Sequence, residues 1–200
     1  MGKLPIIEYF YSLQGEGFNC GRACFFIRIG GCNVKCKWCD TKESWDLSNA
    51  QYLDVAQIVK IVADSGAKNV VITGGEPLIY DLGELCSELK KIGVQIWLET
   101  SGTAPLRGEF DWICLSPKRC EIAVDEKVLK CANELKVVIG CEDDFHWAIE
   151  CASKVTSDCK LFLQPQWELR DEITGKIVEF IKKNPHWQLS LQTHKYLKIK

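Results

Sequence analysis

Apolar runs of five to seven residues recur along the chain, each closed by polar or glycine-containing punctuation. They occupy residues 24–30, 69–73, 94–99, 110–115, 135–139, 160–164 and 187–192. Their apolarity is mostly continuous rather than alternating, the pattern of strands buried on both faces, so they predict a parallel sheet. Between several of them the period changes. Val55, Ile58, Val59 and Val62 follow helical spacing, with Asp54 placed to cap the start and Gly66 just past the end. Leu82, Leu85, Cys86 and Leu89 repeat the stripe after Asp81, and Glu84 three residues on predicts a capping box. Phe145, Ala148, Ile149 and Ala152 form a third stripe, and Ile173, Ile177, Phe180 and Ile181 a fourth. Strands alternating with helices define an α/β class.

The runs at 94–99 and 110–115 lie too close for a full helix between them. A complete eight-unit parallel barrel usually takes ~250 residues, and this chain has 200. The expected architecture is therefore one domain over residues 1–200, an incomplete, distorted parallel (β/α) barrel of six to seven strands with fewer helices. In such folds chemistry gathers where strands end. The unusual residues do follow the runs: Gly31-Cys32, then Gly74-Gly75-Glu76-Pro77, Thr100-Ser101-Gly102, Ser116-Pro117-Lys118 and Pro165-Gln166.

Charge narrows the partners. Lys and Arg total 25 against 27 Asp and Glu, so a net charge of -2 gives no counterion-release drive toward nucleic acid, and none is expected. No run approaches the roughly 18 apolar residues of a membrane span, and Met1-Gly2-Lys3-Leu4-Pro5 does not open a signal peptide. A cytoplasmic protein without a membrane partner is expected. Its twelve cysteines then read as reduced thiols. Cys86, Cys114, Cys120, Cys131, Cys141, Cys151 and Cys159 are scattered and need no role beyond that of small hydrophobes or incidental thiols.

Cys32, Cys36 and Cys39 are different: they form C-x3-C-x2-C on one short loop. Soft thiolates select zinc or iron-sulfur clusters. A closed zinc site needs a fourth ligand, which Cys20 or Cys24 could supply, so the spacing alone leaves zinc open. On a [4Fe-4S] cluster, three thiolates leave one iron free for a small chelating molecule.

With Trp38 just before the last cysteine and Gly74-Gly75-Glu76-Pro77 after the next strand, the pattern resembles the radical S-adenosylmethionine enzymes. Further segments are similar to the 7-carboxy-7-deazaguanine synthase family over nearly the whole chain. They are Tyr11-Ser12-Leu13-Gln14-Gly15-Glu16-Gly17, Arg28, Cys39-Asp40-Thr41, Glu99-Thr100-Ser101-Gly102-Thr103, Ser116-Pro117-Lys118 and Gln192-Thr193-His194-Lys195. The resemblance implies conversion of 6-carboxy-5,6,7,8-tetrahydropterin to 7-carboxy-7-deazaguanine with loss of ammonia, on the way to queuosine. It also implies a [4Fe-4S] cluster, S-adenosyl-L-methionine and Mg2+ as cofactors, a flavodoxin- or ferredoxin-type electron donor, and a homodimer.

Carried over by position, it makes Cys32, Cys36 and Cys39 the cluster ligands and Thr41 the magnesium ligand. Trp38, Asp40, Gly75, Ser116, Lys118 and Gln164 fall to S-adenosylmethionine. Leu13, Gln14, Gly15, Glu16, Arg28, Thr73 and His194 fall to the pterin. Relatives often end in a small residue or Pro whose carboxylate reaches substrate. Here the chain ends Lys195-Tyr196-Leu197-Lys198-Ile199-Lys200, and the corresponding group is the carboxylate of Lys200. The chemistry is coherent, since a pterin carboxylate calls for an Arg and a hard cation.

Plainer readings stand beside these. Arg28 can pair with Glu16 or another acid, Thr41 can cap a helix, His146 and His186 read as surface residues, and Lys195, Lys198 and Lys200 as a solvated end. As whole-protein alternatives, a small radical enzyme that activates a partner protein shares the cysteine motif, and a non-catalytic zinc or electron-transfer protein shares its thiols.

Overall fold

The computed structural model describes residues 2–200; Met1, the first residue of the Met1-Gly2-Lys3-Leu4-Pro5 stretch, lies outside them. A single nine-stranded sheet runs in the order β3-β1-β2-β4-β5-β6-β7-β8-β9. Seven of these strands are mutually parallel: β2 (Ala23–Ile29), β4 (Asn69–Gly74), β5 (Gln95–Thr100), β6 (Trp112–Leu115), β7 (Glu134–Ile139), β8 (Lys160–Pro165) and β9 (Trp187–Leu189). They coincide with the seven apolar runs. The expected six to seven strands are thus the parallel part of a larger sheet. Two antiparallel strands, β1 (Leu4–Leu13) and β3 (Gln51–Leu53), extend its first edge. The sheet is open: β3 lies at one edge and β9 at the other.

Four helices match the predicted stripes: α1 (Val55–Ser65), α2 (Gly83–Lys91), α4 (Asp143–Ala152) and α5 (Arg170–Lys183). Two short ones, α3 (Glu126–Cys131) and α6 (Thr193–Leu197), complete the set. Asp54 caps α1 as its sequence predicts: its carboxylate accepts from Gln57 N–H at 2.8 Å, and the Gln57 side chain accepts from Asp54 N–H at 3.0 Å. Gly66 closes the helix in the left-handed region at φ 68°. The capping box expected at Asp81 and Glu84 does not form. Leu82 is the N-cap of α2, without a side-chain cap, and Asp81 accepts from Gly83 N–H in a tight turn instead. Among the described residues no helix is long and apolar enough to cross a membrane.

Because successive strand residues point to opposite faces, the sheet sorts its side chains by parity. One face carries Ile27, Ile29, Val70, Ile72, Ile96, Leu98, Leu135, Val137 and Leu163, all buried in the core beneath the helices. The other carries Cys24, Val71 and Trp97 as a small apolar plug. Further along the same strands it presents Arg28, Thr73, Glu99, Lys136, Val138 and Gln164 to a cavity of about 280 Å³. Apolar plug below and polar residues above follow from the two-residue period.

Candidate active site

The cavity opens at the carboxyl ends of the parallel strands and gathers residues from most of the chain. Every residue expected at a site lines it except Cys32 and Gly75, which lie immediately behind. The thiol loop leaves β2. Lys35 adopts the left-handed region at φ 53° and donates its N–H to Cys32 Sγ at 3.4 Å, while Thr41 N–H donates to Cys39 Sγ at the same distance. Cys36 sits within electrostatic reach of Cys32, Cys39, Cys120 and Lys118. Burial pushes its thiol up, and the lysine pulls against that shift. Three sulfurs on one loop, two of them receiving backbone N–H groups, fit a thiolate-held cluster.

The fourth-ligand alternative finds no support. Cys24 is fully buried in the apolar plug, its thiol pushed up to about 12 by burial, and Cys20 faces the Thr193 hydroxyl at 3.3 Å. Neither joins Cys36 and Cys39 in the cavity lining. Among the described residues no cluster of three or more His, Cys, Asp or Glu side chains converges on a single-ion position.

Behind the thiol loop, β4 ends in Gly74-Gly75-Glu76-Pro77. Gly75 has no room for a side chain, since a Cβ there would collide with the Gly31 carbonyl oxygen and the Cys32 Cβ. Its backbone is therefore held against the cysteine loop, and Gly75 N–H donates to Ile29 O at 3.1 Å. Glu76 anchors the turn rather than the cavity. Fully buried, it accepts from Leu78 N–H (3.0 Å), Thr100 Oγ1 (2.6 Å), Ser101 N–H (2.8 Å) and the Ser101 hydroxyl.

Across the cavity, Lys118 Nζ donates to Ser116 O at 2.7 Å and to Ser116 Oγ at 2.6 Å, and lies 5.5 Å above the Trp38 ring. Burial pulls the Lys118 ammonium below its ordinary value. Asp40 is held by Lys195 at 2.8 Å and by Gln192 at 2.9 Å. Burial alone would raise its carboxyl, but these partners bring it down to about 2. The Thr41 hydroxyl donates to Asp40 Oδ1 at 3.3 Å, setting two oxygens side by side as a hard cation prefers. Thr41 also starts a short 3-10 turn, Lys42–Ser44, without capping it through its side chain.

At the opposite end Arg28 pairs through Nε with an acid, as its place on an apolar strand allows; the partner is Glu8, at 2.9 Å, rather than Glu16. Glu16 turns inward to Lys136 Nζ (2.6 Å) and Gln192 Nε2 (2.9 Å). Burial favours the neutral form of Glu16, yet the Lys136 ammonium and the Gln192 amide outweigh it and lower the carboxyl. Glu99 takes Lys136 Nζ at 3.0 Å on one oxygen and Gln14 Nε2 at 3.0 Å on the other. His194 packs against Gly15, and burial lowers its imidazole below 6.5.

The segment after β9 closes this end. Thr193 donates to Gly15 O through its N–H and hydroxyl, both at 2.9 Å. Lys200 accepts from Ser12 Oγ at its main-chain oxygen (2.5 Å) and donates from Nζ to Glu8 (2.7 Å). Lys195 is therefore bound at the cavity rather than part of the solvated end its sequence predicts, because a lysine with an acid in reach folds onto it when the backbone brings the two together; Lys198 and Lys200 are exposed, as expected, although Lys200 also reaches Glu8. His146 and His186 are exposed, as expected.

Glu99 and Gln192, present in the resembling segments but given no role there, and Lys136, which no motif marks, line the cavity too. The signal for Lys136 was a charge inside a largely apolar strand.

Comparison with known proteins agrees with this geometry. The radical SAM superfamily profile matches residues 26–121. A 7-carboxy-7-deazaguanine synthase of Flavobacterium psychrophilum is 47% identical over 196 residues, 98% of this chain and 92% of the relative. Its namesake in Synechocystis sp. is 46% identical, again over 98% of this chain and 93% of the relative. The crystal structure of QueE from Escherichia coli superposes with a TM-score of 0.87 at 34% identity, covering 96% of this chain and 95% of that one.

Proposed function

This chain belongs to the 7-carboxy-7-deazaguanine synthase family of radical S-adenosylmethionine enzymes, and from that premise we propose how its single cavity divides among cluster, S-adenosylmethionine, magnesium and pterin. The enzyme is a lyase that converts 6-carboxy-5,6,7,8-tetrahydropterin to 7-carboxy-7-deazaguanine with loss of ammonia, in queuosine biosynthesis. Neither a partner-protein activase nor a non-catalytic thiolate protein is the function of this family. The observation that carries the division is one continuous lining that joins the thiol loop, at Cys36 and Cys39, to the carboxypterin-type groups Gln14, Glu16 and Arg28.

When bound and reduced, the cluster with S-adenosylmethionine supplies hydrogen-atom abstraction from the pterin. Cys32, Cys36 and Cys39 hold it, and the backbone N–H groups of Lys35 and Thr41 steady two of the sulfurs. Gly75, pressed against the cysteine loop, offers bare backbone to the amino-acid end of S-adenosylmethionine. Trp38, Asp40, Ser116, Lys118 and Gln164 hold the rest of that molecule. Lys118 lies between the Trp38 ring and the Ser116 hydroxyl, where it meets a carboxylate or hydroxyl and excludes water.

Arg28 lines the cavity with Nε spent on Glu8, which leaves its two terminal nitrogens for the pterin carboxylate. Thr41 would hold Mg2+, which would supply a hard cation for that carboxylate. Leu13, Gln14, Gly15 and Glu16 meet the pterin edge, Thr73 lies beside Arg28 in the neighbouring strand register, and His194 stands over Gly15 as a neutral imidazole. Lys200, tied to Ser12 through its main-chain oxygen and to Glu8 through Nζ, lines the same end of the cavity as the pterin groups. A homodimer, a flavodoxin- or ferredoxin-type donor and a cytoplasmic location complete the proposal. Twelve free thiols support a reducing compartment.

The test is anaerobic incubation of the reconstituted protein with 6-carboxytetrahydropterin, S-adenosylmethionine, reductant and Mg2+. The expected product has the mass of 7-carboxy-7-deazaguanine, with one ammonia released per turnover. Deoxyadenosine formed without pterin consumption would remove the substrate assignment.

A further inference from the structure

We propose that Lys136 is a positioning residue for the pterin, its single ammonium drawing the Glu16 and Glu99 carboxylates together as a double acceptor for the N–H groups along the substrate's ring edge. The inference rests on the carboxypterin reading above.

Lys136 projects from the middle of β7 and is only 4% exposed. It bridges two carboxylates from distant parts of the chain: Glu16 from the loop after β1, at 2.6 Å, and Glu99 from the end of β5, at 3.0 Å. Each carboxylate is oriented a second time by a side-chain amide, Glu16 by Gln192 and Glu99 by Gln14. Five side chains from four segments thus set two acceptors at the pterin end of the cavity. A pterin offers its amino group and ring N–H groups along one edge, and charged acceptors form the stronger hydrogen bonds to such donors.

Stability does not account for the arrangement. A buried ion cluster is commonly no more stable than apolar side chains of the same volume. The surrounding groups leave Lys136 as the charge that permits two anions here. Glu134, from the same strand, is pushed toward its neutral form by burial and is occupied by Trp112 Nε1 and Phe18 N–H. Cys114 on β6 is likewise pushed toward its neutral thiol by burial. Lys118 from the loop after β6 and His194 from the segment after β9 stand nearby but form no ion pair with either carboxylate. Without the ammonium, two carboxylates sharing a buried space hold a proton between them, and one acceptor becomes a donor.

The experiment compares the reconstituted holoenzyme with its Lys136→Met and Lys136→Arg variants, measuring kcat and KM for 6-carboxytetrahydropterin between about pH 6 and pH 9. Iron content reports folding. Lys136→Met is expected to raise KM about tenfold or more near neutral pH, with a smaller change in kcat, and its KM is expected to recover as the pH rises and the shared proton leaves. Lys136→Arg, which keeps the charge and a two-pronged donor, is expected to restore most of the loss at every pH.

An unchanged KM in a folded Lys136→Met enzyme overturns the proposal. A KM raised equally at all pH values and not restored by Arg also overturns it, since that is the mark of lost packing. If Lys136→Met loses iron, Lys136→Gln against Lys136→Arg decides on the same criterion. Wild-type enzyme that leaves the carboxypterin untouched overturns the substrate reading itself, a result visible before any variant is compared.

Discussion

Gly75 shows what one missing methyl group does. Its backbone lies so close to the Gly31 carbonyl and the Cys32 Cβ that any side chain displaces the first cluster cysteine. Overpacking a tight site costs ~1–3 kcal/mol, and here the displaced atoms belong to the catalytic loop. Gly75→Ala is expected to lower S-adenosylmethionine cleavage about tenfold or more, with iron content reduced in parallel, as deoxyadenosine formation and iron assay will show. Residue identity was legible from sequence wherever a motif spaced it, as at Cys32, Cys36, Cys39 and Gly75. It was illegible where the partner is distant. Nothing in the run Glu134-Leu135-Lys136 says that Lys136 meets an acid 120 residues earlier.

At the scale of elements, α1 is the best-determined helix, with a reciprocal capping box at Asp54 and Gln57 and a left-handed glycine at its end. Asp54→Ala is expected to cost ~1 kcal/mol of stability, read as a lower denaturation midpoint with KM for the pterin unchanged, because α1 lies on the helical side of the sheet. The seven parallel strands were legible because burial on both faces writes a nearly continuous apolar run. β1 was not. It lies between an edge strand and the parallel sheet, its outer residues Tyr9, Tyr11 and Leu13 are exposed, and Glu8 interrupts it. β3 has three residues and α6 five, too few for either period to register. The failed box at Asp81 has a geometric cause: the chain enters α2 one residue later, so the carboxylate meets Gly83 rather than the third helical N–H.

For the molecule as a whole, the closing segment behaves as a strap whose hold depends on pH. Burial lowers the His194 imidazole below its ordinary 6.5, with Lys195 and Lys136 adding to that effect and Glu16 and Asp40 opposing it. The folded strap therefore binds fewer protons than the unfolded one. Its stability is fully present above 6.5 and is lost as pH falls through the depressed folded value. Amide hydrogen exchange over residues 193–197, corrected for intrinsic rates, is expected to show weaker protection at acidic than at neutral pH, and His194→Gln is expected to flatten that dependence.

The contact between Thr193 and Gly15 spans 178 positions of sequence. On the ribosome the cysteine loop emerges long before the last wall of its chamber exists. Iron delivered before that contact forms meets the thiols with this wall of the chamber still missing.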